Sequence, residues 1–289
     1  MASAKYISFL PGGNKTALVI GTEYDSTQRR AINKAIMNRD PDMEQVGFVR
    51  RAGEYSLTGQ SSTPSLQMAG DEFCGNATRS AAYYYLNGKP GRLVMTVSGG
   101  RKLACGVYEN GHAWCEIPLA APGIPQIETV TDDIHKVSLS GITHLVIEPE
   151  TAIPFLKDAA GSEDPDRLRK TGLSLIEKYG LKELEAAGAI FLELNSEGKL
   201  KIHPIVWVRD IASLFYETAC GSGTVAAAMV QAEKTGGEIK TAVLQPSGMT
   251  IRAELTLKED TSVDSSSPFT RAVISGPVQT DMIQETCMI

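Results

Sequence analysis

The chain carries two cysteine loops built to one plan. The first, Gly70-Asp71-Glu72-Phe73-Cys74-Gly75-Asn76-Ala77-Thr78, runs on into Arg79-Ser80-Ala81-Ala82; the second, Tyr216-Glu217-Thr218-Ala219-Cys220-Gly221-Ser222-Gly223-Thr224, runs on into Val225-Ala226-Ala227-Ala228. In both, a thiol precedes glycine and a small polar residue, and an alanine-rich, helix-forming run follows. A thiol where a loop enters a helix lies at the positive end of the helix dipole, which favours the thiolate. The unpaired N–H groups of the first turn point the same way and can hold a carboxylate. Two such loops facing one cleft could place a thiolate and a thiol on opposite sides of one carbon. That pair could remove a proton from one face and deliver another to the opposite face, inverting a stereocentre. No cofactor is needed if hydrogen bonds to the adjoining carboxylate stabilise the carbanion in a dry cleft. Each thiol must then titrate near neutrality.

From the residues alone, the pair stays open between an acid–base couple, a redox disulfide pair and two structural cysteines. Gly221-Ser222-Gly223-Thr224 could cradle a phosphate but lacks the lysine and spacing of a P-loop. A cysteine peptidase would recruit His144 or His203 and leave the second loop without a role. Cys105, Cys115 and Cys287 read as small buried apolar residues. Five cysteines with no Cys-x-x-Cys argue against a disulfide scaffold or zinc site, and four scattered histidines give no metal site.

The elements that must carry the loops repeat as well. Each half runs cysteine loop, helix, strand, Ser-Gly turn, strand, with Ser98 24 residues after Cys74 (98 − 74) and Ser247 27 after Cys220 (247 − 220). Residues 5–10, 17–20 and 45–49 read as strands, and Ser26 as the cap of a helix to about Asn38 that presents Ala31, Ile32, Ala35 and Ile36 on one face. Residues 56–66 read as a loop or lid. The first cysteine helix runs over about 76–87 and stops at Asn87-Gly88. Strands follow over 93–97, 103–108 and 112–117. Pro118 to Pro125, with three prolines and no charge, reads as an inter-domain linker. Strands over 141–147, 189–194 and 202–208, a helix from Pro165 to Gly180, and a helix from Cys220 to about Thr235 make up the second half. Strands at 241–245 and 249–257, a polar crossing over 260–268 and a last strand at 272–278 complete it, and the final residues look frayed.

At 289 residues and 42% hydrophobic content, the chain can bury two medium cores. A net charge of −6 without lysine–arginine clusters gives no nucleic-acid footprint. No apolar run approaches the roughly 18 residues of a membrane span, and the start does not read as a signal peptide, so a cytoplasmic location is expected.

Together these residues resemble the diaminopimelate epimerase superfamily of cofactor-independent, two-cysteine racemases. Cys74-Gly75-Asn76-Ala77 and Ala219-Cys220-Gly221-Ser222-Gly223 match its two signature loops. Gly13-Asn14, Gln45, His144-Leu145-Val146, Gln245-Pro246-Ser247-Gly248 and Ser275-Gly276-Pro277 match weaker positions, so the likeness spans nearly the whole chain. It implies an α+β fold of two pseudo-symmetric domains, each a curved, mainly antiparallel sheet or barrel around a central helix. The domains would be 1–120 with 268–289, carrying Cys74, and 121–267, carrying Cys220. By analogy Cys74 acts on the L substrate and Cys220 on the D form. Asn14, Gln45 and Asn76 line the pocket, and the backbone of Gly75–Asn76 and Gly221–Ser222 holds the α-carboxylate.

The superfamily's diaminopimelate epimerases carry a glutamate–arginine pair shortly before the second cysteine. Here that stretch is Ile211-Ala212-Ser213-Leu214-Phe215-Tyr216, without a charged pair. A distal zwitterion would be poorly supported in a closed cleft. This, with Glu217 three residues before Cys220, brings the chain nearer the histidine racemases of metallophore biosynthesis. Glu217 could accept a hydrogen bond from an imidazole or an α-ammonium. The resemblance implies a racemase for histidine or another single-headed amino acid, with a small-molecule substrate, no cofactor, no metal, and no nucleic-acid or membrane partner; it leaves a homodimer open. A diaminopimelate epimerase with altered distal recognition, an amino-acid-binding protein without chemistry, and a redox dithiol protein are the alternatives.

Overall fold

The computed structural model describes residues 3–21, 23–50, 63–156, 164–236, 239–258 and 267–288. The chain is mixed α and β, with many strands and few helices. It forms two compact units, Met1–Glu116 with Ser275–Ile289, and Ile117–Ile274. Among the described residues no helix is long and apolar enough to cross a membrane.

The first unit holds β1 (Ser3–Pro11), β2 (Thr16–Ile20), α1 (Ser26–Arg39), β3 (Gln45–Val49), β4 (Leu66–Met68), α2 (Gly75–Tyr85), β5 (Gly91–Val97), β6 (Arg101–Val107) and β7 (Ala113–Glu116). Late in the chain it adds β17 (Val278–Gln279) and β18 (Gln284–Met288). One sheet has the order β17-β1-β2-β3-β4, with β18 also on β1; β5, β6 and β7 form an antiparallel meander. Every residue of β2 is buried, as its unbroken apolar run predicts for a central strand. Helix α2 touches β6 and β7 as well as β1, β2 and β3, and residues 75–82 are all buried.

Three expectations change here. Asp25, not Ser26, caps α1: its carboxylate accepts the Gln28 N–H at 2.8 Å while the Gln28 side chain accepts the Asp25 N–H at 3.0 Å. The reciprocal pair satisfies two orphan donors, the Gln28 N–H through the Asp25 carboxylate and the Asp25 N–H through the Gln28 side chain. Ala31 is exposed, and Ile32, Asn33 and Ile36 form the inward face. The tail is not frayed. Strand β18 pairs antiparallel with β1 from Ser3↔Met288 to Ile7↔Gln284, covering an edge that would otherwise stand open. Glu285 accepts from Tyr6 at 3.0 Å and Ser8 at 2.9 Å, and Cys287 is buried. Most of the loop read over 56–66 lies outside the described residues, and its end is already β4.

The second unit holds β8 (Ile127–Thr131), β9 (Ile134–Leu139), β10 (Ile142–Ile147), α3 (Pro149–Leu156), α4 (Pro165–Lys178), β11 (Ala186–Leu194), β12 (Leu200–Val208), β13 (Ser213–Tyr216), α5 (Gly221–Thr235), β14 (Lys240–Leu244), β15 (Thr250–Leu257) and most of β16 (Phe269–Gly276). The sheet order is β16-β15-β14-β12-β11-β10-β9-β8, with β13 on β12. Alternation along β11 serves both faces. Ala187, Ala189 and Phe191 join Leu156, Leu168, Ile176 and Ile205 in a core under α3 and α4. On the other face Ile190 lies close to Gly223 of α5. Strands β8, β9 and β13 and helix α3 were not anticipated. Within 118–125, read as a linker, Leu119 bridges Leu139. The polar crossing read over 260–268 falls largely outside the described residues.

Candidate active site

Both cysteines are helix N-caps, and their local geometries nearly coincide. Cys74 caps α2 with φ −131° and ψ 114°; Cys220 caps α5 with φ −128° and ψ 113°. In each, the sulfur accepts the N–H three residues on at 3.3 Å, from Ala77 and Gly223 respectively. Each cap carbonyl accepts the threonine hydroxyl four residues on at 2.7 Å, from Thr78 and Thr224. The sulfur thus takes the place of the usual cap oxygen. Gly75 and Asn76, and Gly221 and Ser222, occupy the first helical positions, whose N–H groups have no acceptor inside the helix.

The side chains around the two sulfurs differ. In the first unit the Cys74 thiol donates to Gln45 Oε1 at 2.7 Å, and Gly75 and Asn76 open the helix that Cys74 caps. Asn14 is buried with its amide committed: Nδ2 donates to Glu44 at 2.7 Å and Oδ1 accepts from Thr16 at 2.8 Å. Asn76 Oδ1 accepts from Arg79 Nη2 at 2.9 Å. Arg79 is fully buried one turn into α2. Burial lowers its guanidinium to about 10, against the pull of the Cys115 and Cys74 sulfurs, so it stays charged at neutral pH.

In the second unit Cys220 sits between Glu217 and Ser222. Its thiol is hydrogen-bonded to the Glu217 carboxylate, and Ser222 Oγ lies 3.6 Å from the sulfur. Ser222 in turn meets His144 Nε2 at 2.9 Å. His144 is completely buried, and burial lowers its imidazole to about 3, so it is neutral. Its ring lies over Gly188, its register partner on β11, where a Cβ would stand 2.2 Å from Nδ1. Gln245 fixes the loop from below: it accepts the Cys220 N–H at 2.9 Å and donates to Thr224 at 3.0 Å.

One expectation is corrected on the Cys220 side. A helix N-terminus alone would favour the thiolate, but burial, and after it the Glu217 charge and hydrogen bond, push this thiol well above its ordinary value. Ser222 and the Gly223 N–H pull the other way without reversing the shift. Burial first, and Glu217 after it, thus favour the protonated form of Cys220. The stretch before it is also explained. On β13, Leu214 and Tyr216 pack on the apolar core of the second unit, so these positions serve packing rather than charge.

Arg79, Gln245 and the Ser222 contact of His144 were not singled out by function. A visible signal for Arg79 was an arginine in an otherwise small-residue, alanine-rich run. The repeat of threonine four residues after each cysteine likewise marked the shared cap geometry.

The family described as the histidine racemase CntK N-terminal domain matches residues 3–267. A histidine racemase of Fusobacterium nucleatum is 26% identical over 233 residues, covering 76% of this chain and 78% of that protein. Among solved structures, a hydroxyproline epimerase from Agrobacterium vitis superposes with a TM-score of 0.63 at 10% identity, over 99% of this chain and 92% of that one. A PhzF-family phenazine biosynthesis protein of Bacillus anthracis gives 0.62 at 13% identity over the full length of both. These two likenesses concern the fold.

Proposed function

Since the chain belongs to the histidine racemase CntK N-terminal domain family, we propose that it racemises histidine, or another single-headed amino acid, by a two-base 1,1-proton transfer between Cys74 and Cys220. The observation that carries this is the twofold occurrence of a thiol as the N-cap of a buried, alanine-rich helix, with near-identical geometry. Gly75–Asn76 and Gly221–Ser222 offer first-turn N–H groups to the α-carboxylate, where negative charge grows as the α-proton leaves. Asn14, Gln45 and Asn76 line the Cys74 side. Glu217, already the partner of the Cys220 thiol, can also accept from an ammonium or imidazole N–H.

The proton balance is simple. A Cys74 thiolate removes the α-proton of the L substrate, and the Cys220 thiol delivers its proton to the opposite face. Both sulfurs finish with exchanged protonation states and no net proton is consumed. The two units serve as pseudo-symmetric halves of the fold, one thiol each. A single-headed substrate fits the lack of any charged pair between Ile211 and Tyr216.

Chiral chromatography of a panel of amino acids, incubated in reducing buffer made with D2O, tests this. Histidine should racemise with deuterium entering at Cα, and Cys74→Ser and Cys220→Ser should each lose about 10²-fold or more in kcat. Wild-type turnover in both variants would remove the proposal; turnover of diaminopimelate alone would replace the substrate.

A further inference from the structure

Arg79 is the one lysine or arginine among the buried described residues, and it is spent neither on a carboxylate nor on solvent. Nη2 donates to Asn76 Oδ1 at 2.9 Å, while Nε and Nη1 are buried without hydrogen-bond partners. A desolvated cation with unfilled donors is costly, and an apolar residue of similar volume commonly serves a core better. Val225, at the same distance after Cys220, shows that the other helix is buried with an apolar residue there. The cation therefore needs a role in the Cys74 half alone.

Its surroundings supply one. A guanidinium has donors only, so the amide of Asn76 must turn its oxygen to Arg79 and its NH2 end the other way. The same charge acts on Cys74, at the start of the same helix. Other titratable groups face the same region from the elements packed against α2 and from the loop before Cys74, among them Glu116, whose charge also acts on Cys105 and Cys115. Burial pushes the Cys105 thiol on β6 up to about 12 and that of Cys115 on β7 well above its ordinary value, so both are neutral. Glu116 accepts from the Ala104 N–H, Glu44 is bonded to Asn14, and Tyr6 is bonded to Glu285. In the loop before Cys74, Asp71 pairs with Arg29 and Glu72 is buried.

We propose that Arg79 is a positioning residue of the Cys74 half-site: it fixes the donor end of Asn76 for a substrate carboxylate and provides the positive charge that keeps Cys74 the base, opposite in sign to Glu217 beside Cys220. This rests on the two-thiol mechanism above, and its test is separable from it.

The variant is Arg79→Met, which keeps bulk and removes charge. Its urea midpoint should equal or exceed that of the wild type, since an unpaired buried charge has been removed. Iodoacetamide labelling followed by peptide mass spectrometry should show Cys74 reacting about tenfold slower at pH 7, with Cys220 within about twofold of wild type. In Arg79→Lys, which keeps the charge but not the fork, Cys74 should label at nearly the wild-type rate while KM rises about tenfold. Unchanged labelling of Cys74 in Arg79→Met overturns the proposal, as does a wild-type KM in Arg79→Lys should Arg79→Met not fold. If the wild-type chain racemises nothing, the two-base mechanism fails, but the labelling comparison still decides the role of Arg79.

Discussion

Gly188→Ala should be far more damaging than a glycine-to-alanine change in a strand ordinarily is. The added Cβ would stand 2.2 Å from His144 Nδ1 and 2.7 Å from Cε1. Ordinary contact begins at about 3.4 Å, so the imidazole must retreat by roughly 1.2 Å (3.4 − 2.2). His144 has no exposed surface, and its Nε2 is held 2.9 Å from Ser222 Oγ. A retreat of that size cannot keep the hydrogen bond. Overpacking costs about 1–3 kcal/mol, and a buried polar pair left unmade costs about 1–3 more. The gain of about 0.5–1 kcal/mol from replacing a strand glycine offsets little of this. The net loss should be about 1–5 kcal/mol by urea denaturation followed by circular dichroism. His144→Ala made in the Gly188→Ala background should recover the overpacking part, because the clashing atoms are then absent. A loss below about 0.5 kcal/mol in Gly188→Ala would refute the steric reasoning, as would strict additivity of the two changes.

His144 also makes stability depend on acid. Its folded value of about 3 lies below the unfolded 6.5, so the unfolded chain binds the proton more readily. Its contribution is whole above pH 6.5 and is lost as the pH falls toward 3, with a total of about 5 kcal/mol from 3.5 × 1.36. The difference in unfolding free energy between wild type and His144→Gln should therefore narrow over that window, and a pH-independent difference counts against a neutral buried imidazole. Deleting residues 284–289 should cost about 3 kcal/mol or more of unfolding free energy, read as a lower urea midpoint, because β1 loses its partner strand and Tyr6 and Ser8 lose Glu285. An unchanged midpoint would mean that the C-terminal strand contributes nothing.

What the sequence made legible was what local chemistry decides. The cysteine helices could be placed because alanine runs, a following Asn87-Gly88 stop and a polar cap are short-range signals, and α2 and α5 lie where those signals put them. Strands with unbroken apolar runs, such as β2, were equally plain. Strand β8 was not: Ile127-Glu128-Thr129-Val130-Thr131 is polar and carries a register irregularity between Thr129 and Thr131, and only its partner β9 makes it a strand. Strand β18 depends on β1 nearly three hundred residues away in sequence, a contact that no local pattern encodes. The site divided the same way. The N-cap role of each thiol is local, and so was readable. That the Cys74 thiol donates to Gln45, a position only the resemblance pointed to, that His144 meets Ser222, and that burial together with Glu217 outweighs the helix dipole at Cys220 are contacts or balances of charge that spacing cannot weigh.

The two loops share a backbone and differ in charge, and this difference has a consequence for turnover. A racemase leaves its thiols with exchanged protonation states after each inversion. If Cys74 begins as thiolate, the L→D reaction ends with a Cys220 thiolate facing the Glu217 carboxylate. That state is disfavoured by like-charge repulsion, whereas the starting state has Arg79 beside the anion and Glu217 beside a neutral thiol. The enantiomers themselves are equal in energy, so the imbalance resides wholly in the protein. Under the proposed two-base mechanism, with Cys74 acting on the L substrate, this imbalance would bias the free enzyme toward the form that accepts L and would favour proton return to Cys220 once product leaves. Glu217→Gln removes the repulsion but keeps a hydrogen-bond acceptor. It should raise the iodoacetamide labelling of Cys220 at pH 7 by about tenfold or more while leaving Cys74 unaffected. Equal labelling of Cys220 in the variant and the wild type would mean that Glu217 does not set the resting state, and the asymmetry would have to be sought in Arg79 alone.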